Sequence, residues 1–356
     1  MTFKGFLQLF AGFAVVLSLI PLIAADYWWI RMFDFPHIQL TALTLTAIIA
    51  YLMKFDIKWV NDYIFMSVMI ACFAFQMTKI VPYLPHNQYE LLASKKEKRT
   101  DTLTIYTANV YQKNSKKHLL VKDIEARDPD LIVLLETDSG WMDYVNTAIL
   151  SSYPYTLLAP LDNTYGMLFY SKYPLENEEI RYLVEEDIPS MHGLVALPSG
   201  ARFQFHLIHP TPPMPQHNPR STDRDREMML VADMARTTDL PVIVAGDFND
   251  VAWSDTTTLF QKVSGLLDPR VGRGFYNTYS ANNVLLRWPL DHLFVSEEFR
   301  LLSIELGDDI GSDHFPAVVS LSLEPEHAQE QTPEPPTEDE LERAKEQMTS
   351  QEKMSM

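Results

Sequence analysis

The chain has 356 residues, 47% of them hydrophobic, and carries 29 lysines and arginines against 47 aspartates and glutamates, a formal charge of −18 at pH 7. That length admits one large domain or two modest ones, and the acidity argues against non-specific duplex binding, which rewards cationic surface through counterion release. The single cysteine, Cys72, excludes an intrachain disulfide framework and a sulfur ligand set, so any metal would be held by oxygen and imidazole, donors suited to Mg²⁺, Mn²⁺ or Ca²⁺.

Three apolar segments open the chain, from Phe6 to Ala24, His37 to Met53 and Tyr63 to Leu84. Each approaches the roughly 20 residues that cross a bilayer, and their short links leave little polar face for a soluble helix. Residues 1–84 therefore predict an integral membrane anchor of three transmembrane helices, with Tyr27, Trp28, Trp29 and Trp59 at the interfaces. Lys4 before the first segment and Ala24-Ala25 after it imitate a signal peptide, but two further apolar segments speak against cleavage. Lys4, Lys54 and Lys58 favour a cytoplasmic amino terminus. An odd number of spans then puts the domain that follows outside, at a plasma or inner membrane; Arg31 and the cluster Lys95, Lys96, Lys98 and Arg99 count the other way.

Residues 85–100 lack a sustained apolar period and read as a linker. Residues 101–323 read as the globular domain, itself acidic at 21 basic against 32 acidic residues over 91–323. Apolar strands are expected near 103–109, 131–137, 166–171, 193–197, 203–209, 241–248 and 317–321, with helices over 118–127 and 224–235. The rhythm is strand-rich α+β, compatible with two sheets packed face to face under helices. Residues 324–356, rich in Glu, Gln, Pro and Thr, predict an acidic disordered tail with at most a transient helix from Glu338 to Met348.

Several of these strands end in polar chemistry. The run 241–250 is apolar up to Gly246 and then presents Asp247 and Asn249, which project from one side of an extended segment. The strand near 103 ends on Asn109, the next on Glu136 and a later one on His209, while Gly311-Ser312-Asp313-His314 precedes the last apolar run. With Asp291 in Pro289-Leu290-Asp291-His292, this ordered set resembles the endonuclease/exonuclease/phosphatase superfamily in a membrane-anchored, bacterial-type form. That superfamily comprises metal-dependent phosphoesterases, among them deoxyribonuclease I, exonuclease III, neutral sphingomyelinases and inositol-polyphosphate phosphatases. The resemblance covers about residues 102–323 and implies a four-layered α/β/β/α sandwich.

It also implies roles. Glu136 would be the main Mg²⁺ or Mn²⁺ ligand, with Asn109 beside it and Asp313 completing the shell. Asp247 would orient or deprotonate the attacking water, Asn249 would donate to a phosphoryl oxygen, and His314 would face the phosphate with its imidazole held by Asp291. His209 suits a leaving-group acid, although no glutamate supports it from the preceding strand region and only Asp162 offers a substitute. Arg220, Arg224 and Arg226 present either a phosphate contact, best carried by Arg220, or a charged helix face. His192, His206 and His217 read as structural or solvated. Trp253 and Tyr279 either line a substrate cleft or pack in the core. Anchoring and acidity favour a phosphodiester in a lipid headgroup or small molecule as substrate, with DNA or RNA as the alternative and a non-catalytic binding module as the rival from another class.

Overall fold

The computed structural model describes residues 2–23, 25–85, 87–95, 101–215 and 218–350. Ala24, Lys96, Lys98, Arg99 and His217 lie outside the described residues.

The amino-terminal segments form helices Phe3–Leu19 (α1), Trp28–Arg31 (α2), His37–Leu52 (α3) and Val60–Ile80 (α4). Helices α1, α3 and α4 pack around Leu7, Ala11, Ala47, Tyr51, Met66 and Met69. Inside the bundle Gln76 Nε2 donates to Ser18 Oγ at 2.5 Å and Thr44 Oγ1 at 3.1 Å, while Lys4, Tyr51 and Asp62 join at the end away from the domain. Two stretches, Phe3–Leu22 and Val60–Tyr83, are long and apolar enough to cross a membrane. The third expected span is not: α3 has 16 residues, about 24 Å of helix at ~1.5 Å per residue, because Pro36 opens it and the chain turns after Leu52.

The domain is built from two sheets. Strands Thr102–Asn109 (β1), Leu131–Leu135 (β2), Tyr155–Ala159 (β3), Met167–Ser171 (β4), Phe299–Leu306 (β10) and Ala317–Leu323 (β11) form one, in the order β10-β11-β1-β2-β4-β3. Leu175–Arg181 (β5), Ser190–Ala196 (β6), Arg202–Ile208 (β7), Val242–Asp247 (β8) and Asp291–Val295 (β9) form the other, in that order. Strand alternation builds the layers. Ile105, Val133, Phe169 and Val319 of one sheet meet Val195, Phe205, Ile243 and Leu293 of the other in a central core. The opposite faces are covered by helices. Tyr106, Ile132 and Leu168 lie under Lys117–Arg127 (α5) and Ser139–Ile149 (α6), and Ile208, Val244 and Phe294 lie under Thr222–Arg236 (α7) and Asp255–Ser264 (α8). The result is the α+β sandwich of two packed sheets expected from the sequence.

Two boundary expectations need correction. The segment read as a linker is partly structured against the domain: Leu91 is fully buried in the central core, and Ser94 N donates to Leu301 O. The tail read as disordered forms a 3-10 turn, Pro325–Glu330, and then helix Glu338–Thr349 (α9). Thr337 and Glu340 close a capping box at its start, and Ala344 is buried among α7 and α8 residues. One small apolar stripe is enough, because the cleft between two other helices receives it.

Candidate active site

Pairing directions decide which strand ends meet. The parallel pair β1–β2 sets Asn109 opposite Leu135, so Glu136 follows immediately beside it. The parallel pair β7–β8 matches Ile208 with Gly246, which brings His209 alongside Asp247, and the antiparallel β8–β9 pair sets Asp247 opposite Asp291. Gly246 is required there, since a Cβ would stand 1.9 Å from Ile208 O at a φ of +145°. Glu136 (φ 59°) and Asn249 (φ 50°) both adopt the left-handed conformation, a local strain common at functional sites.

Asn109 Nδ2 donates to Glu136 Oε1 at 2.8 Å and to Asp247 Oδ2 at 3.1 Å, tying the two sheets together. Its Oδ1 accepts from Tyr111 N at 3.1 Å, so Asn109 bridges two carboxylates through its amide nitrogen instead of presenting an oxygen for a metal. Asp247 Oδ1 accepts from Asn249 N at 2.9 Å. Around Asp247 Oδ2 stand His314 Nε2 at 3.7 Å and His209 Nε2 at 3.9 Å. His314 Nδ1 is 2.7 Å from Asp291 Oδ2, and Ser312 Oγ holds the loop by donating to Asn109 O and accepting from His314 N.

The electrostatics follow from this enclosure. Burial opposes a charge on His314, but Asp291 and Asp247 outweigh it and push the imidazole up to about 10. Burial also works to raise Asp247, yet His314, His209 and the amides of Asn249 and Asn109 hold it below the usual carboxylate range. Asp291 is raised by burial against the pull of His314, and Glu136 is raised by burial against the pull of His209 and Asn109.

Asp247, Asp291 and His314 each offer an atom within 4.8 Å of the others. A charged imidazole whose Nδ1–H is taken by Asp291 is a poor ligand, so this trio is an ion-pair cluster. A divalent cation fits better on the Glu136 side, where the half-buried Glu136 carboxylate lies one amide away from that of Asp247, oxygen donors suited to Mg²⁺ or Mn²⁺.

Other expected residues fall elsewhere. Asp313 is half-buried beside the cluster, its carbonyl accepting from Ala281 N at 2.7 Å. Arg220 is not at the site: it lies over the Tyr27 ring and pairs with Asp26 of the amino-terminal helical region at 3.4 Å. Arg224 is no exposed helix face either. It is buried and binds Asp225 and the Asn249 carbonyl, with Asp250 at 3.2 Å. Asp162 is exposed, and His209 Nδ1 has no partner among the described residues; the His209 ring instead packs on Tyr165, centroids 5.3 Å apart. His192 and His206 pair inside the second sheet at 2.6 Å. Tyr279 packs on His314 at 5.0 Å, whereas Trp253 joins Tyr83 and Leu290 in a satellite core. Tyr165, against the His209 ring, and Thr278, whose hydroxyl accepts from Asp291 N at 3.2 Å, are site-supporting residues that no strand-end pattern marks.

The profile of the Endonuclease/Exonuclease/phosphatase family matches residues 106–314, well over half of the chain and spanning the whole cluster. The chain belongs to this family. No curated protein sequence matches it, but solved structures share its fold. A humanized D. rerio TDP2 aligns at 16% identity and a TM-score of 0.53 over 63% of this chain and 100% of that one. The human Nocturnin catalytic domain with bound sulfate aligns at 17% and 0.51 over 63% and 95%. An endonuclease/exonuclease/phosphatase protein of Bacteroides vulgatus aligns at 17% and 0.52 over 63% and 99%. Members of this family are hydrolases acting on phosphoester bonds.

Proposed function

We propose that the chain is a membrane-anchored, divalent-metal-dependent phosphodiesterase whose substrate is the phosphodiester of a lipid headgroup. One observation carries the choice of substrate. In the loop that bears Tyr279, Val284, Leu285 and Leu286 are 78%, 79% and 46% exposed, an apolar tip with no core to join. Its Leu285 O accepts from Gln39 Nε2 of α3 at 2.8 Å, while the loop's base is bonded to Asp313 O through Ala281 N. The tip thus stands at the level of the anchor's domain-side end and leads directly to the site, where a bilayer surface would receive it.

Glu136 and Asp313 are the residues proposed to hold the cation, which would supply neutralisation of phosphoryl charge. The chain's own groups do the rest. Asp247, kept ionised by two imidazoles, is placed to accept a proton from an attacking water. His314, oriented by Asp291, offers Nε2–H to a phosphoryl oxygen. Asn249 uses one amide N–H on Pro210 O at 3.0 Å and has a second for the phosphate. His209, across Asp247 from Asn109, is the proposed proton donor to the leaving oxygen. D. rerio TDP2, solved with a single strand DNA product, makes nucleic acid the second substrate class to assay, against the acidic balance of this domain.

The test offers the detergent-solubilised full chain phosphatidyl- and sphingomyelin-type lipids, small diesters, monoesters and DNA, each with Mg²⁺, Mn²⁺, Ca²⁺ or chelator. Lipid diesters should be hydrolysed fastest; faster turnover of DNA would replace this reading with the nuclease one. A reporter fused after the carboxyl terminus should be active outside the cytoplasm, since Lys4, Lys54 and Lys58 lie at the end of the helices away from the domain and favour the cytoplasmic side. Activity only inside would reverse the proposed topology.

A further inference from the structure

Where the anchor meets the domain the chain encloses a cavity of about 560 Å³. The carboxyl-terminal ends of α1 and α4 contribute Leu22 and Lys79, the α2–α3 turn Arg31 and Asp34, and α9 contributes Gln347. Three buried polar atoms on residues lining it have no hydrogen-bond partner among the described residues: Arg31 Nε, His37 Nε2 and Gln347 Oε1. His37 is only 4% exposed. Arg31, Lys79 and Asp34 set cationic and anionic side chains around one cavity, a lining suited to a polar occupant. Lys79 makes no ion pair among the described residues. Asp34 has a single distant one, 3.9 Å to Arg31, and burial together with Asp250 pushes its carboxyl up to about 7, the mark of a carboxylate that would gain from a nearby cation.

We propose that this cavity binds the headgroup of a zwitterionic aminophospholipid, with the phosphate on Arg31 and Lys79 and the ammonium toward Asp34 and Gln347. This rests on reading α1 and α4 as bilayer spans. Their domain-side ends then lie in the headgroup layer, where the apolar Pro21, Leu22 and Phe75 of the lining suit the first carbons below a glycerol backbone. A guanidinium and an unpaired ammonium together recognise phosphate. Five acidic residues against three basic ones in the lining disfavour an anionic head and favour one ending in an ammonium. The site is separate from the catalytic cluster but joined to it: Asp225 lines the cavity and holds Arg224, which donates to Asn249 O at 2.9 Å.

Native mass spectrometry of the delipidated full chain in detergent tests this, with phosphatidylethanolamine, phosphatidylglycerol and soluble glycerophosphoethanolamine added in turn. One phosphatidylethanolamine should be retained per chain, at least tenfold over phosphatidylglycerol and over the soluble headgroup. Lys79→Gln and, separately, Gln347→Leu should each reduce retention at least fivefold, while Lys122→Gln on the surface of α5 should not. Retention that ignores both variants, a preference for phosphatidylglycerol, no retained lipid, or equal binding of the soluble headgroup would each overturn the proposal. A chain released from membranes by alkaline washing would overturn the anchoring on which it rests. A chain that stays embedded and hydrolyses diesters yet retains no lipid would overturn this inference alone.

Discussion

His314 Nδ1 lies 2.7 Å from Asp291 Oδ2, and both groups are buried at the junction of the two sheets. Asp291 opens β9 directly opposite Asp247, so the imidazole is clamped between two carboxylates and presents Nε2 to the cluster. A pair built this way should act as one unit. His314→Ala and Asp291→Ala should each lower kcat by about 10²- to 10⁴-fold, with the double variant little worse than His314→Ala. Additive losses in steady-state kinetics would show that Asp291 works independently of the imidazole.

His209 should separate from that pair by leaving group. Its Nδ1 has no partner among the described residues and its ring leans on Tyr165, so no carboxylate holds it as Asp291 holds His314. His209→Ala should slow an alkyl phosphodiester strongly and a nitrophenyl diester little, because the latter's departing oxygen hardly needs protonation. Equal losses on both substrates would make His209 a binding or structural residue.

Chelation should abolish hydrolysis and Mg²⁺ or Mn²⁺ restore it. Glu136→Gln should raise the Mg²⁺ concentration for half-activation by about tenfold or more, since it removes a negative charge from the proposed ligand. A wild-type enzyme that turns over fully in excess chelator would refute the cation, and an unchanged Mg²⁺ titration for Glu136→Gln would remove Glu136 from its shell.

Glu227 offers a pH test away from the cluster. Fully buried on α7 with Oε1 unpartnered, it is pushed up to about 8, first by burial and then by Glu185. The folded chain therefore keeps a proton that the unfolded chain releases near pH ~4.3. Stability is fully present below that value, falls as pH rises toward 8 and is level above it. Glu227→Gln should flatten this decline, so that Tm of the variant exceeds that of the wild type at pH 8 by more than at pH 5. Parallel Tm curves would mean that Glu227 is ionised in the fold.

The docked carboxyl-terminal helix makes its own prediction. Ala344 is 1% exposed against α7 and α8, so Ala344→Asp would bury an unpaired carboxylate and lower Tm measurably, while Glu342→Asp on the exposed side should not. Identical melting of both variants would mean that the helix does not stay docked.

Much of this architecture was legible in the chain itself. Continuous apolar runs such as Val242–Ala245 can only be strands buried on both faces, and a polar residue directly after such a run is held at the rim of a sheet. That is why Asn109, Glu136, His209 and Asp247 arrive at one cluster, which Asp291 joins from the start of an antiparallel strand. Local pattern also carried the apolar helices, but not whether each was long enough to span, since α3 is bounded by Pro36 and by the turn that follows it.

Tertiary structure alone decided what depends on distant partners. Arg220 and Arg224 lie four residues apart in one charged stretch, yet one faces Asp26 of the amino-terminal helical region and the other is buried against Asn249 and Asp250. The amide orientation of Asn109 is set by two carboxylates 27 and 138 residues away. The acidic carboxyl-terminal segment becomes a docked helix because α7 and α8 leave a cleft that its few apolar side chains match. A one-dimensional pattern records how often a side chain meets the core, but the identity of its partner is a long-range property that exists only once the sheets have closed on one another.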